Sequence, residues 1–130
     1  MSVKQFDPVI YPQRLWVAVS KDGTDLNGLF RDRETSEIIR FEEYGLGQNF
    51  CALTFPVSEV STDNYGVLIV YAKRKNMTCN IIAHEAVHAA GYMFQHMGQE
   101  IDSEEPFAYL VGWIANCCWR VANRLNILLI

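Results

Sequence analysis

Three histidines occur in this chain of 130 residues, and two stand four apart with a glutamate beside the first: His84-Glu85-Ala86-Val87-His88. An α-helix turns about 100° and rises about 1.5 Å per residue, so positions four apart point the same way, one turn from each other. On a helix the two imidazoles can grip one divalent ion, and Glu85 projects from the adjoining part of the same face. Zinc is the default ion for such donors. It takes neutral imidazole nitrogens at about 2.0–2.1 Å and, where catalytic, keeps a position open for water. The pKa of that water falls towards about 7, and a carboxylate beside it is placed to take its proton. Iron, cobalt or manganese fit the same donors in vitro.

Positioning these side chains requires a helix that can be buried on its other side. Ile81, Ile82, Ala83, Ala86, Val87, Ala89 and Ala90 surround the motif, with no helix breaker before Gly91. Thr78 is a candidate N-cap and Gly98 a candidate stop, which predicts a helix over 78–97. The plain alternative is a core helix whose histidines find ordinary hydrogen-bond partners. Burying two imidazoles and a carboxylate without a task is costly, which weighs against it.

Two histidines need a third donor. In the longer pattern H-E-x-x-H-x-x-G-x-x-H, Gly91 fits the glycine, but Phe94 stands where the histidine belongs. His96 lies eight residues after His88, about 12 Å further along the helix axis, and cannot share the ion. Cys79, five before His84, is near enough in sequence to be weighed. The other source is a second helix, predicted over 104–126, with Asp102-Ser103 as its cap and Pro106 tolerated in its first turn. Its start carries Asp102, Glu104 and Glu105, and two antiparallel helices with a short connection would bring that turn back towards the first helix. Carboxylates also favour helix N-termini for purely local reasons.

The rest of the chain supplies the support. Length and composition (half hydrophobic, one fifth charged) fit a single globular domain over 1–130 with a real core. A net charge of −4 argues against nucleic acid as a partner, and Lys73-Arg74-Lys75 reads as a solvated turn. Met1–Pro12 lacks the apolar region of a secretory signal. Cys51, Cys79, Cys117 and Cys118 form no C-x-x-C pair, so all four read as reduced, mostly buried side chains of a cytoplasmic protein. The tail from Tyr109 to Ile130 is apolar but interrupted by Asn116, Arg120, Asn123, Arg124 and Asn126, which argues against a membrane span. Ile127-Leu-Leu-Ile130 suits a dimer contact as well as a core, so the oligomeric state stays open.

Residues 1–13 read as an extended lead-in. Strands are expected at Leu15–Ser20, weakly at Leu26–Phe30, at Cys51–Phe55 with a stop near Pro56, and most clearly at Val67–Ala72. Lys21–Thr24 and Asp63–Gly66 are turns, residues 45–49 a loop, and Glu37–Glu42 fits a strand or a short helix equally. Strands first and helices after give an α+β class: a short N-terminal sheet packed on two C-terminal helices. Val67–Ala72 is either interior sheet or an edge strand beside the cleft, where an extended peptide could pair with it.

His84-Glu85-Ala86-Val87-His88 followed by Glu105-Pro-Phe-Ala-Tyr109 resembles the zincin metallopeptidases whose third ligand is a glutamate. More narrowly, it is similar to small peptidase-like proteins of phages and prophages that join H-E-x-x-H to E-x-x-A-Y on the next helix. The resemblance covers residues 78–115 and is thin before them. It implies a zincin-like fold, zinc held by His84, His88 and Glu105, Glu85 as general base, and a peptide or protein substrate, in a bacterial cytoplasm if phage-encoded. Glu105 is preferred to Glu104 because it shares a face with Ala108 and Tyr109. The spacing from His88 to Glu105 is shorter than in large thermolysin-like enzymes, so the connection must be compact. Tyr109 and Tyr65 are candidate oxyanion donors, though both serve packing more readily. Asn80, Asn116 and Asn123 are candidates to orient the imidazoles. The competing readings are a zinc-binding domain without turnover and a phage interaction protein on a peptidase scaffold. The presence of Glu85 favours catalysis over both.

Overall fold

The computed structural model describes residues 2–44, 50–99 and 105–124. It is a small α+β domain in which a mixed five-stranded sheet carries two helices on one face. In chain order the elements are β1 (Ser2–Phe6), β2 (Arg14–Val19), β3 (Phe30–Asp32), β4 (Ala52–Glu59), β5 (Tyr65–Tyr71), α1 (Cys79–His96) and α2 (Glu105–Ala122), with 3-10 turns at Thr24–Leu26, Phe41–Tyr44 and Arg74–Asn76. The spatial order is β1-β2-β5-β4-β3. Only β2 and β5 run parallel; the other pairs are antiparallel.

β5 is the middle strand, not an edge, and Gly66–Tyr71 are all buried. That explains its unbroken apolar run: a strand covered on both faces has no reason to alternate. Gly66 is required where β2 passes, because a Cβ there would overlap the Arg14 carbonyl. Val67, Ile69 and Tyr71 face the helices with Leu15 and Val17, while Leu68 and Val70 face the other side with Trp16, Phe30, Phe41 and Phe55. Ala86, Ala89 and Ala90 let α1 lie close to the sheet and to α2.

The ends of α1 follow from local chemistry. Thr78 accepts a hydrogen bond from the Ile81 N–H at 3.3 Å, satisfying a free donor of the first turn. At the other end Gly98 takes φ 71°, with Gly98 N bonded to Gln95 O and Gln99 N to Phe94 O, the paired closure of a Schellman motif. Arg74, from the basic turn, donates to the Val121 carbonyl at 3.1 Å, placing a cation at the end of α2. No helix among the described residues is long and apolar enough to cross a membrane.

Three sequence expectations change. The weak strand at Leu26–Phe30 becomes a 3-10 turn followed by β3 further on. Asn27 Oδ1 accepts from Phe41 N at 2.8 Å, and its Nδ2 donates to Glu42 at 2.7 Å, which ties residues 24–27 to 41–42 and not to a strand. Glu37–Glu42 is neither a strand nor one helix, but an isolated bridge at Ile38 followed by the 3-10 turn. β4 runs through Pro56: Ala72 N bonds Cys51 O, so alternate residues 51, 53, 55 and 57 face β5, and the nitrogen of Pro56 points away from that ladder. The loop 45–49, the cap at Asp102-Ser103, Glu104, and residues 125–130 lie outside the described residues.

Candidate functional site

α1 presents His84 and His88 on its open side and buries Glu85. The two Nε2 atoms are 3.2 Å apart, with ring centroids at 4.8 Å and planes at 73°. Two nitrogens each about 2.0–2.1 Å from a tetrahedral ion would stand roughly 3.3 Å apart. The separation of the two nitrogens therefore matches what one zinc-sized cation requires. The same spacing is a hydrogen bond between the rings in one tautomeric arrangement, so a cation would displace a shared proton.

Glu85 is 6 % exposed, whereas the His84 side chain is 66 % exposed. Glu85 Oε1 accepts a 2.7 Å hydrogen bond from Thr54 Oγ1 on β4, and Oε2 lies 3.9 Å from His84 Nε2. One carboxylate oxygen is thus anchored to the sheet and the other turned to the imidazole pair. Thr54 escaped the sequence reading. Its signal is strand alternation, since Phe55 and Val57 fill the opposite core and leave Thr54 facing α1.

Beneath the carboxylate, the Tyr71 hydroxyl is buried and has no hydrogen-bond partner of good geometry among the described residues. Burial, and then the nearby Cys118 thiol and Glu85 carboxylate, push its pKa up, so it stays protonated. Burial likewise raises Cys117 and Cys118. Those two cysteines match the expectation of buried thiols; Cys51 and Cys79 are exposed.

Glu105 opens α2 and is exposed. Phe107 meets Phe94 edge to face with ring centroids 5.2 Å apart, which sets the first turn of α2 against the last turns of α1. His88 lies six residues before Phe94, about 9 Å back along the axis. Among the described residues no group of three His, Cys, Asp or Glu side chains converges on one point, so neither Glu105 nor Cys79 stands with the imidazole pair. Asp102 and Glu104 lie outside the described residues. Tyr109 is 75 % exposed and lines an apolar recess of about 400 Å³ with Pro8, Ile10 and Trp113. Tyr65 contacts His96 and Arg33. Asn123, just past the end of α2, donates to Trp119 O, and Asn80 and Asn116 are exposed.

The outer edge of β4 is open beside this site. β3 pairs with Val57–Glu59 only. The outward N–H and C=O groups of Ala52 and Thr54 meet no backbone partner among the described residues, and Arg33 N takes the Pro56 carbonyl at 3.2 Å. Of the two alternatives for Val67–Ala72 the structure shows interior sheet, and the open edge lies one strand over, on β4, whose Thr54 bonds Glu85.

Fold and site define a small α+β domain with an H-E-x-x-H pair on its sheet-facing helix. Comparison with protein-family models, with curated proteins and with solved structures gives no match.

Proposed function

We propose that the protein is a zinc-dependent peptidase of zincin type, hydrolysing peptide bonds of an extended peptide or protein segment. The observation that carries the reading is the imidazole pair at 3.2 Å with Glu85 turned to it and anchored by Thr54. A zinc ion bound there would supply an acidified water and would polarise a carbonyl. His84 and His88 would hold the ion through Nε2. Glu85 would take the water's proton through Oε2, while Thr54 fixes Oε1 and so limits rotation of the carboxylate. The open stretch of β4 offers main-chain groups to a peptide lying past Thr54. The third donor would be Glu105 at the start of α2, as the resemblance implies, or Glu104 or Asp102, which precede it in the sequence. Glu105 reaches the pair only if the first turn of α2 moves towards His88.

The competing reading, a metal-binding domain without turnover, draws on the near-complete burial of Glu85. Glu85→Gln separates the two. The variant should keep its zinc and lose cleavage of a peptide library by about 10²- to 10⁴-fold, the usual worth of a positioned base. Cleavage by Glu85→Gln at the wild-type rate removes Glu85 from the mechanism. Absence of cleavage by the wild type, with zinc removal lowering Tm, supports the metal-binding domain. Replacing Glu105 with Gln should weaken zinc retention more than replacing Glu104 does; the reverse order moves the ligand by one residue.

A further inference from the structure

His88, Tyr92 and His96 form one i, i+4, i+8 row along α1. At its far end the His96 ring lies 4.8 Å from the ring of Tyr65, the first residue of β5. The Arg33 guanidinium sits over that tyrosine ring, 5.0 Å from its centroid. Arg33 immediately follows β3, and its Nη1 reaches Gln13 Oε1 at 3.4 Å and Gly66 O at 3.5 Å, both long for hydrogen bonds. Nε and Nη2 bond to nothing among the described residues, and no carboxylate there pairs with the guanidinium. Gln13 is fully buried and its Nε2 donates to Met93 O at 2.9 Å, so the group that holds Arg33 is itself fixed to α1. Partial burial disfavours the arginine's charge, an unfavourable balance that a bound anion would reverse. The result is a planar, ring-backed cation whose Nε and Nη2 donors are unspent among the described residues, the side of the guanidinium suited to a carboxylate.

Two independent rulers place this cation relative to the imidazole pair. From His88 to His96 is eight residues, about 12 Å of helix. Along β4, Thr54 holds Glu85, and Ser58, four residues on, pairs with Tyr65, roughly 13 Å of strand. An extended peptide covers about 3.3–3.6 Å per residue, so either span is about three to four residues.

We propose that Arg33 is a carboxylate anchor for a peptide that runs from the imidazole pair along the His88–Tyr92–His96 row of α1, selecting peptides with a carboxylate about three to four residues from the bond presented at His84 and His88. The inference rests on the peptidase reading for what happens at the imidazole pair, and its test reads binding alone. The carboxylate is either a peptide C-terminus or an acidic side chain.

The test uses zinc-loaded Glu85→Gln protein, so that turnover does not intervene, and fluorescence anisotropy with three pools of fluorescein-labelled random hexapeptides. One pool ends in a free carboxylate, one in an amide, and one is amidated with glutamate fixed at the last position. The free-acid or the glutamate pool should bind about tenfold more tightly than the plain amide, and whichever does so identifies the carboxylate's source. Adding Arg33→Gln should abolish the preference while leaving amide binding unchanged, a split that a purely structural arginine would not give. Arg33→Lys should keep part of it, and it serves in place of Arg33→Gln if that variant fails to fold. Equal binding of all three pools, no binding of any, or a preference that survives loss of Arg33 overturns the proposal. Each of these readouts stands whether or not the wild type cleaves peptides.

Discussion

On the face of the sheet away from the helices, Trp16 meets Phe30 edge to face at 5.3 Å, Phe41 meets Phe55 at 5.5 Å, and Tyr44 covers Phe55 at 5.2 Å. On the helix face the same strands offer Thr54 to Glu85, Tyr65 to His96 and Arg33, and Tyr71 to the space beneath Glu85. The first face is closed by apolar shape. The second is only partly satisfied: a lone hydroxyl, a stretched arginine and two open imidazoles. A fold that spends one side of its sheet on aromatic packing gains the stability that lets the other side keep polar groups without full partners.

Cutting into the aromatic face tests that division most severely. Phe41→Ala should cost about 3–5 kcal/mol, the usual loss for a buried aromatic ring, seen as a fall in the denaturant midpoint. Zinc affinity of the fraction still folded should not change; a parallel loss of zinc would show that the faces are not separable. Thr54→Val should do the opposite. It removes the bond to Glu85 and should lower cleavage about tenfold, with a smaller stability loss of about 1–3 kcal/mol from the carboxylate left short of a partner. Unaltered cleavage would make Thr54 a packing residue only.

Alkaline pH probes the same space more gently. Folding raises the pKa of Cys117, Cys118 and Tyr71 above their ordinary values of 9.0 and 10.0, burial being the first cause of each shift. The unfolded chain therefore releases these protons first. Stability is complete below about pH 9 and declines as pH rises beyond it, first through the thiols and then through the tyrosine. Tyr71→Phe should flatten the tyrosine part of that decline. It should also raise neutral-pH stability by roughly 1 kcal/mol by deleting a buried hydroxyl with no partner of good geometry among the described residues. A loss of stability in Tyr71→Phe would mean that the hydroxyl bonds Glu85 or Cys118 in solution.

How far the chain could be read in advance depended on the reach of each interaction. The helix that carries His84 and His88 was legible because its signals are local: Thr78 caps it, Gly98 closes it, and the four-residue spacing brings the two imidazoles together. The α+β order and the central apolar strand were legible for the same reason. Long-range contacts were not. Thr54 meets Glu85 across 31 residues, and Asn27 reaches Phe41 across 14. Pro56 stops no strand because its nitrogen points outward, a fact set by register. The level of Glu105 depends on which ring of α1 Phe107 meets, and the contact with Phe94 holds it beyond the imidazoles. Arg33 carried no sequence signal, because its importance lies in what does not pair with it.

Zinc stoichiometry is the most direct measurement. Purified protein, exposed to zinc and passed through a desalting column, should retain one equivalent by elemental analysis. His88→Ala, folded by circular dichroism, should retain none. Wild-type protein without zinc, or His88→Ala with a full equivalent, would contradict the claim that His84 and His88 together hold the ion.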